Sequence, residues 1–120
     1  MAKTILVAED GKATREMLAL LLSNHGYSVV EVTNGKDAWE KVKTILPDLV
    51  ILDADMPELS GYDVFRMLKK DPAYKEIPVL FLVAGLAHEL SSRSLPPPEF
   101  LVSKPFRAHD LLARVESFLR

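Results

Sequence analysis

The chain of 120 residues contains no cysteine, which excludes a disulfide scaffold, a zinc site built from thiolates and a cysteine nucleophile. Its three histidines are scattered, so we expect no metal site made of histidines alone. Neither sign of charge dominates, since 15 Lys and Arg residues face 17 Asp and Glu residues and the net charge is -2. We therefore expect no direct contact with nucleic acid, and a binding partner would be a protein.

Long hydrophobic runs are absent as well. The amino terminus, MAKTILVAED, reaches an acidic residue after a short apolar run. That run is shorter than a signal-peptide core and far shorter than a membrane span. We therefore expect a cytoplasmic protein without a membrane segment. A chain of this length is expected to form a single domain, residues 1–120, and to bury about two thirds of the surface of its unfolded state.

Short apolar runs alternate with helical patterns along the chain, which is typical of an α/β protein with a parallel sheet. The predicted strands are Thr4–Ala8, Ser28–Val32, Leu49–Asp53, Ile77–Ala84 and Phe100–Ser103. The predicted helices are Lys12–His25, Gly35–Leu46, Gly61–Lys70, a weaker candidate over Leu86–Ser94, and one that begins near Ala108. Five strands and five helices in alternation predict a doubly wound, three-layer sandwich with right-handed crossovers.

Two helical patterns carry specific expectations. The first helix should end at Gly26, and its core face should hold Ala13, Met17, Leu20 and Leu21. The candidate over Leu86–Ser94 must stop before the prolines at positions 96–98, because consecutive prolines favour polyproline II geometry.

The stretch LVILDADMP, Leu49–Pro57, is the one around which the rest of the sheet is organised. Its first four residues are apolar without alternation, which indicates a parallel strand buried on both faces. That strand ends on Asp53, at the edge of the sheet where ligands of open α/β sheets bind. An acid in this position can also cap the next helix or close a loop, so the groups on neighbouring strands decide its role.

The carboxyl ends of the other predicted strands supply such groups. They are Glu9 and Asp10 after the first strand, Val83 and Ala84 at the end of the fourth, and Lys104 after the fifth. Carboxylates that converge raise one another's pKa unless a cation neutralises them. Clustered oxygen ligands with an open side suit Mg²⁺, and the ammonium of Lys104 suits an anionic group opposite. The edge therefore predicts a phosphoryl site.

Four motifs at compatible spacing make the chain resemble a receiver domain of bacterial two-component response regulators, of the stand-alone, chemotaxis-regulator type. They are ILVAED, DLVILDADMP, GYDV and SKPF. Each motif alone is weak, but together and in this order they are highly specific, and the match covers nearly the whole chain. The resemblance implies a flavodoxin-like fold with the strand order 2-1-3-4-5.

The resemblance also implies a role for each site residue. Asp53 would take a phosphoryl group from a phosphohistidine on a sensor histidine kinase or a phosphotransfer protein. Glu9 and Asp10 would hold Mg²⁺, together with a carboxylate oxygen of Asp53 and the backbone carbonyl of Asp55. Lys104 would pair with Asp53 at rest and with a phosphoryl oxygen afterwards. Phosphoryl transfer needs mainly alignment and charge neutralisation, which these groups would supply.

Further expectations follow from the family. The Lys104–Pro105 peptide bond is a candidate for the cis form, which is almost confined to bonds before proline. The protein would catalyse only its own phosphorylation and dephosphorylation, so it would be a switch rather than an enzyme. It would act on a downstream protein target as a monomer or weak dimer, unless the chain is part of a longer kinase or regulator.

Two positions depart from the family pattern. Val83 stands where the family has a Thr or Ser that hydrogen-bonds the phosphoryl group, and valine has no donor. Leu101 stands where the family has an aromatic residue that swings inward. Phe100 is one residue out of register and would face the opposite side of the strand unless the strand has a bulge. We expect Asp53 to be phosphorylated, with the usual coupling to the output surface weakened or replaced.

An alternative is a pseudo-receiver, a protein-interaction module that works without phosphorylation. The intact Glu9, Asp10, Asp53 and Lys104 argue against this alternative, while Val83 argues for it. A nucleotide-binding fold is disfavoured, because the segment EDGKAT after the first strand contains a single glycine instead of a glycine-rich loop.

Overall fold

The computed structural model describes residues 2–84 and 100–119. Its strands are β1 (Thr4–Ala8), β2 (Ser28–Val32), β3 (Leu49–Asp53), β4 (Val79–Val83) and β5 (Leu101–Ser103). The helices within these residues are α1 (Lys12–Asn24), α2 (Gly35–Ile45), α3 (Gly61–Lys70) and α4 (Ala108–Leu119). The predicted helix over Leu86–Ser94 and the prolines at positions 96–98 lie outside the described residues.

All neighbouring strands of the sheet are parallel. Their order is β2-β1-β3-β4-β5, which confirms the predicted doubly wound, flavodoxin-like fold. Every residue of β3 and β4 is buried, because both strands are covered on both faces. None of the helices in the described part of the chain combines the length and apolar character needed to cross a bilayer.

Two hydrophobic clusters cover the two faces of the sheet, because successive strand residues point to opposite sides. The first cluster joins the sheet to α2 and α3 through Ala38, Val42, Val64 and Leu68. The second joins the other face to α1 and α4 through Leu18, Leu22, Leu111 and Val115. This arrangement is the predicted three-layer sandwich.

The predicted core face of α1 was largely wrong. The helix buries Leu18 and Leu22, and of the predicted face only Leu21 packs against the core. The other three predicted core residues are exposed: Ala13, Met17 and Leu20. The segment from Met17 to Leu22 is apolar at every position, so more than one face of the helix could form the buried side. Contact with the sheet buries the face that carries Leu18 and Leu22.

The β3–α3 connection brings the start of α3 against the end of β3. Ser60 and Asp63 form a capping box at the amino end of α3, and the Gly61 N–H donates to the carbonyl oxygen of Ala54 at 2.9 Å. A Cβ atom at position 61 would clash with the carbonyl oxygen of Asp53. Glycine is therefore required for this close approach, which links the GYDV motif to the site strand.

We predict that Gly61→Ala lowers the free energy of unfolding by about 1–3 kcal/mol, since the added methyl group overpacks the contact with β3. The matched control is Gly26→Ala, where φ is 91° and a Cβ would meet no atom within 4 Å. That change should cost about 1 kcal/mol through backbone strain alone. Urea unfolding gives both values, and amide NMR should show the Asp53 and Ala54 resonances moving only in Gly61→Ala. Unmoved resonances would contradict the proposed constraint.

Candidate functional site

The structure brings four predicted site residues together at the carboxyl edge of the sheet. Carboxylate oxygens of Glu9, Asp10 and Asp53 lie within 4.8 Å of one another. The Nζ atom of Lys104 is 2.8 Å from Glu9 Oε1 and 3.2 Å from Asp53 Oδ1. Because β1 and β3 are adjacent parallel strands, their acidic residues meet although they are far apart in sequence.

The three carboxylates differ in their exposure to solvent. Glu9 is 2% exposed and Asp53 is 5% exposed, whereas Asp10 lies on the surface. The cluster is therefore buried on its inner side and open on the side of Asp10. A small cation with bound waters could reach it from that side.

Glu9 is held from both ends. Its backbone N–H donates to the carbonyl oxygen of Val32 at 3.1 Å, and its Oε2 accepts a hydrogen bond from the Gly11 N–H at 2.9 Å. The other carboxylate oxygen, Oε1, is buried and lies 2.8 Å from the Lys104 Nζ atom. The two oxygens of Glu9 are therefore held by the turn after β1 and by Lys104.

The charges at this edge shift the pKa of two groups. Burial, followed by the negative charge of Glu9, raises the pKa of the Asp53 carboxyl to about 7, although the Lys104 ammonium opposes the rise. Burial alone would lower the pKa of Lys104, but its contacts with Glu9 and Asp53 outweigh burial and hold that pKa above its ordinary value. Lys104 therefore stays charged while Asp53 is poised to titrate near neutrality.

The donor set fits a hard divalent cation. It offers three carboxylates whose oxygens lie within 4.8 Å of one another, and the single ammonium of Lys104 balances their negative charge incompletely. Asp55 lies two residues beyond Asp53 with an exposed side chain, and its carboxylate is outside the cluster. Any contribution from Asp55 would thus come from its backbone carbonyl, as the family resemblance implies.

Val83 ends β4 beside the site. It is 2% exposed and belongs to the cluster that joins the sheet to α2 and α3. Its carbonyl oxygen accepts a hydrogen bond of 2.7 Å from the Lys104 N–H, so the backbone of Val83 is tied directly to the lysine. The side chain at this position is apolar and the next residue, Ala84, is exposed.

Leu101 and Phe100 face different sides of the structure. Leu101 packs against the cluster on the α2 and α3 side, whereas the Phe100 ring lies 5.4 Å from the ring of Phe118 in α4, between centroids. Phe100 thus remains on the α4 side, one residue before β5 begins. The peptide bond between Lys104 and Pro105 is cis.

Two contacts of the site were not anticipated from the sequence. One is the close pairing of Lys104 with Glu9, which is shorter than its pairing with Asp53. The other is Arg15, whose guanidinium donates to the carbonyl oxygens of Glu9 and Asp10. A basic residue in the first turn of a helix gives a weak signal for such a contact, since helical side chains tilt toward the amino end.

Comparison with known proteins identifies the family. Residues 5–116 match the model of the response regulator receiver domain. The chain belongs to this family. This receiver is 33% identical to the phosphate regulon transcriptional regulatory protein PhoB of Pseudomonas aeruginosa, in an alignment that covers 100% of the chain and 53% of PhoB. It is 35% identical to the response regulator MprA of Mycolicibacterium vanbaalenii, over 100% of the chain and 52% of MprA.

The receiver therefore spans about half the length of the curated relatives that it matches. Among solved structures, it is similar to the signal receiver domain of a signal transduction histidine kinase from Syntrophus aciditrophicus. That comparison gives a TM-score of 0.86 at 31% identity and covers 98% of this chain and 90% of the other. Receivers of this fold thus occur both in transcriptional regulators and in kinases.

We predict that metal-free wild-type protein loses stability as the pH rises from about 5 to about 8. Because the pKa of Asp53 is raised on folding from 3.8 to about 7, the native state binds more protons than the unfolded state in this range. Asp53→Asn should remove this loss and be more stable than wild type at the higher pH, by an amount on the order of 1–3 kcal/mol.

Urea unfolding in the presence of a chelator measures the effect at both pH values. Asp55→Asn is the matched control, because its side chain is exposed and outside the cluster. This control should keep the pH dependence of the wild type. Parallel pH profiles for wild type and Asp53→Asn would contradict the raised pKa.

Proposed function

We propose that this receiver accepts a phosphoryl group on Asp53 from the phosphohistidine of a sensor histidine kinase or a phosphotransfer protein, with Mg²⁺ as cofactor. The observation that carries the proposal is the pairing of a buried Asp53 carboxylate with the Lys104 ammonium, inside a cluster of three carboxylates. Such a combination of nucleophile, ammonium and oxygen ligands suits phosphoryl transfer.

In the proposed transfer, a carboxylate oxygen of Asp53 forms a bond to phosphorus as the bond from phosphorus to the donor imidazole nitrogen breaks. The aspartyl phosphate is later hydrolysed, when water attacks phosphorus and releases inorganic phosphate with the Asp53 carboxylate restored. The protein would therefore be modified and would act as a timed switch. It would not turn over a separate substrate.

Glu9, Asp10, a carboxylate oxygen of Asp53 and the backbone carbonyl of Asp55 would hold Mg²⁺. When bound, the ion supplies positive charge to the transferring phosphoryl oxygens. The pKa of Asp53 near 7 supports this part of the proposal, because a cation at the cluster favours the ionised carboxylate that attack requires.

Lys104 would exchange partners during the reaction. Its ammonium lies between Glu9 and Asp53, and its side chain is 24% exposed. When the Asp53 carboxylate is phosphorylated, the negative charge moves outward onto the phosphoryl oxygens. A flexible ammonium at this distance can follow that charge, so Lys104 would stabilise both the transition state and the phosphorylated form.

We expect the step that transmits phosphorylation from Asp53 to the output surface to be unusual. Val83 offers no hydroxyl to a phosphoryl oxygen, and Leu101 replaces an aromatic switch residue. Both side chains pack in the apolar cluster on the α2 and α3 side of the sheet. We infer that phosphorylation reaches the downstream protein target by a weaker or different route, with the receiver acting as a monomer or weak dimer.

The decisive experiment is phosphorylation with a small-molecule phosphodonor, acetyl phosphate, in the presence of Mg²⁺. Intact-protein mass spectrometry should show the gain of one phosphoryl group, and a chelator should abolish this gain. Asp53→Ala should not be modified, since the nucleophile is gone. The matched control Glu116→Ala should be modified like the wild type, because Glu116 is exposed on α4 and its carboxylate lies outside the cluster.

The pseudo-receiver remains the second candidate, and Val83 is the observation that favours it. On this alternative the acid cluster is retained but not phosphorylated, and the surface binds its partner constitutively. Wild-type protein that stays unmodified under the conditions above, and gains no label from a phosphorylated histidine kinase, would establish the alternative.

We predict that Val83→Thr strengthens the response to phosphorylation. The threonine hydroxyl has nearly the shape of the lost methyl group and supplies the missing donor. Amide NMR with Mg²⁺, before and after addition of a beryllium fluoride complex, should show larger shifts along β4 and β5 than in the wild type. The buried hydroxyl should also lower the free energy of unfolding by about 1–3 kcal/mol.

The matched control is Val79→Thr, the same substitution at the other end of β4 in the same hydrophobic cluster. It should cost similar stability and leave the response to beryllium fluoride at the wild-type level. Wild-type shifts already as large as those of Val83→Thr would show that the missing hydroxyl does not limit coupling.

A further inference from the structure

Arg15 lies in the first part of α1 and reaches back to the turn that carries the acid pair. Its Nη1 donates to the carbonyl oxygen of Glu9 at 3.1 Å and lies 3.4 Å from that of Asp10. Its Nε lies 3.6 Å from Oε1 of Glu31 on β2. The side chain of Arg15 is only 17% exposed, so the guanidinium is well enclosed by these partners.

The turn held by Arg15 needs support. It presents two consecutive acids, and their carboxylates join that of Asp53 in one cluster. Like charges at this distance push the turn apart. The guanidinium contacts only backbone oxygens of the two acids, so it leaves their carboxylates free for other partners. Its planar fork can hold neighbouring acceptors with fixed geometry.

We propose that Arg15 is a positioning residue for the acid pair, which fixes the turn after β1 so that the carboxylates of Glu9 and Asp10 face a divalent cation. The inference rests on the proposed metal site. Arg15 itself cannot be a ligand, because a guanidinium has no acceptor. Glu31 anchors the guanidinium to β2 and thereby ties the turn to the neighbouring strand.

The positive charge of Arg15 and its contacts with the turn have opposite expected effects on the affinity for Mg²⁺. A positive charge close to the site repels a cation, so loss of the guanidinium charge alone would tighten Mg²⁺ binding. Loss of the carbonyl contacts would let the turn relax and would weaken binding. The direction of the change in affinity therefore separates the two effects.

The experiment is an Mg²⁺ titration of the unphosphorylated protein, followed by amide NMR. Arg15→Met keeps much of the apolar stem and removes the charge and the donors, and we expect it to bind Mg²⁺ about tenfold more weakly, as when other partners of metal ligands are lost. Arg15→Lys keeps the charge but cannot reproduce the fork, so its affinity should lie between those of Arg15→Met and the wild type.

Arg66→Met is the matched control. Arg66 lies on α3 and pairs with Asp63, so this change removes the same charge without touching the turn after β1. Its Mg²⁺ affinity should equal that of the wild type. A tighter or unchanged affinity in Arg15→Met would overturn the positioning role.

A second measurement does not depend on the metal. The Gly11 N–H donates to Glu9 Oε2, so a relaxed turn should expose this amide. In metal-free protein, hydrogen exchange at Gly11 should be faster in Arg15→Met than in wild type or Arg66→Met, and equal rates would overturn the inference. Wild-type protein without affinity for Mg²⁺ would instead overturn the proposed metal site, and exchange at Gly11 would then still test Arg15.

Discussion

The ammonium of Lys104 between two buried carboxylates is the interaction on which the site depends. Parallel strands deliver their carboxyl ends to one edge, so acids that end β1 and β3 are forced together. Burial and mutual repulsion favour protonation or expulsion of these groups, and the Lys104 ammonium opposes that effect without cancelling it, since the pKa of Asp53 is still raised to about 7. Lys104, supplied by the end of β5, contacts both Glu9 and Asp53. Lys104 therefore offsets part of the negative charge of the cluster, and the side at Asp10 stays open to a cation.

Close backbone contacts also hold the segments that carry the carboxylate cluster in place. Gly61 allows α3 to start against the carbonyl of Asp53, and the Ala54 N–H donates to the carbonyl oxygen of Leu82 at 2.9 Å. The end of β3 is thus fixed by its helix and by β4. A nucleophile that must meet a donor in line benefits from such rigidity. The apolar interior of the sheet supplies the stability that the charged edge does not.

The sequence allowed the doubly wound parallel sheet and the meeting of the four charged residues to be predicted, because both follow from alternation and from parallel topology. The strand order came from the resemblance to the receiver family. The buried face of α1 was not predictable, because the segment that ends at Leu22 is continuously apolar and several faces of the helix are therefore apolar. The pairing of Lys104 with Glu9 and the reach of Arg15 were also missed. Both depend on side-chain direction at the ends of elements, which periodicity does not describe, and only packing in three dimensions decides them.

Under the proposed function, accepting a phosphoryl group and transmitting that event are separate physical requirements. Acceptance would depend on the charged edge, whereas the pattern that the family resemblance implies would place a hydroxyl and an aromatic ring where Val83 and Leu101 stand. A remaining connection is the backbone hydrogen bond from Lys104 to Val83. Any movement of Lys104 toward a phosphoryl group would pull on this bond and on the start of the segment that leads into α4. Coupling through the backbone would thus act on β5 and α4 directly, without rearrangement of the buried face that holds Val83.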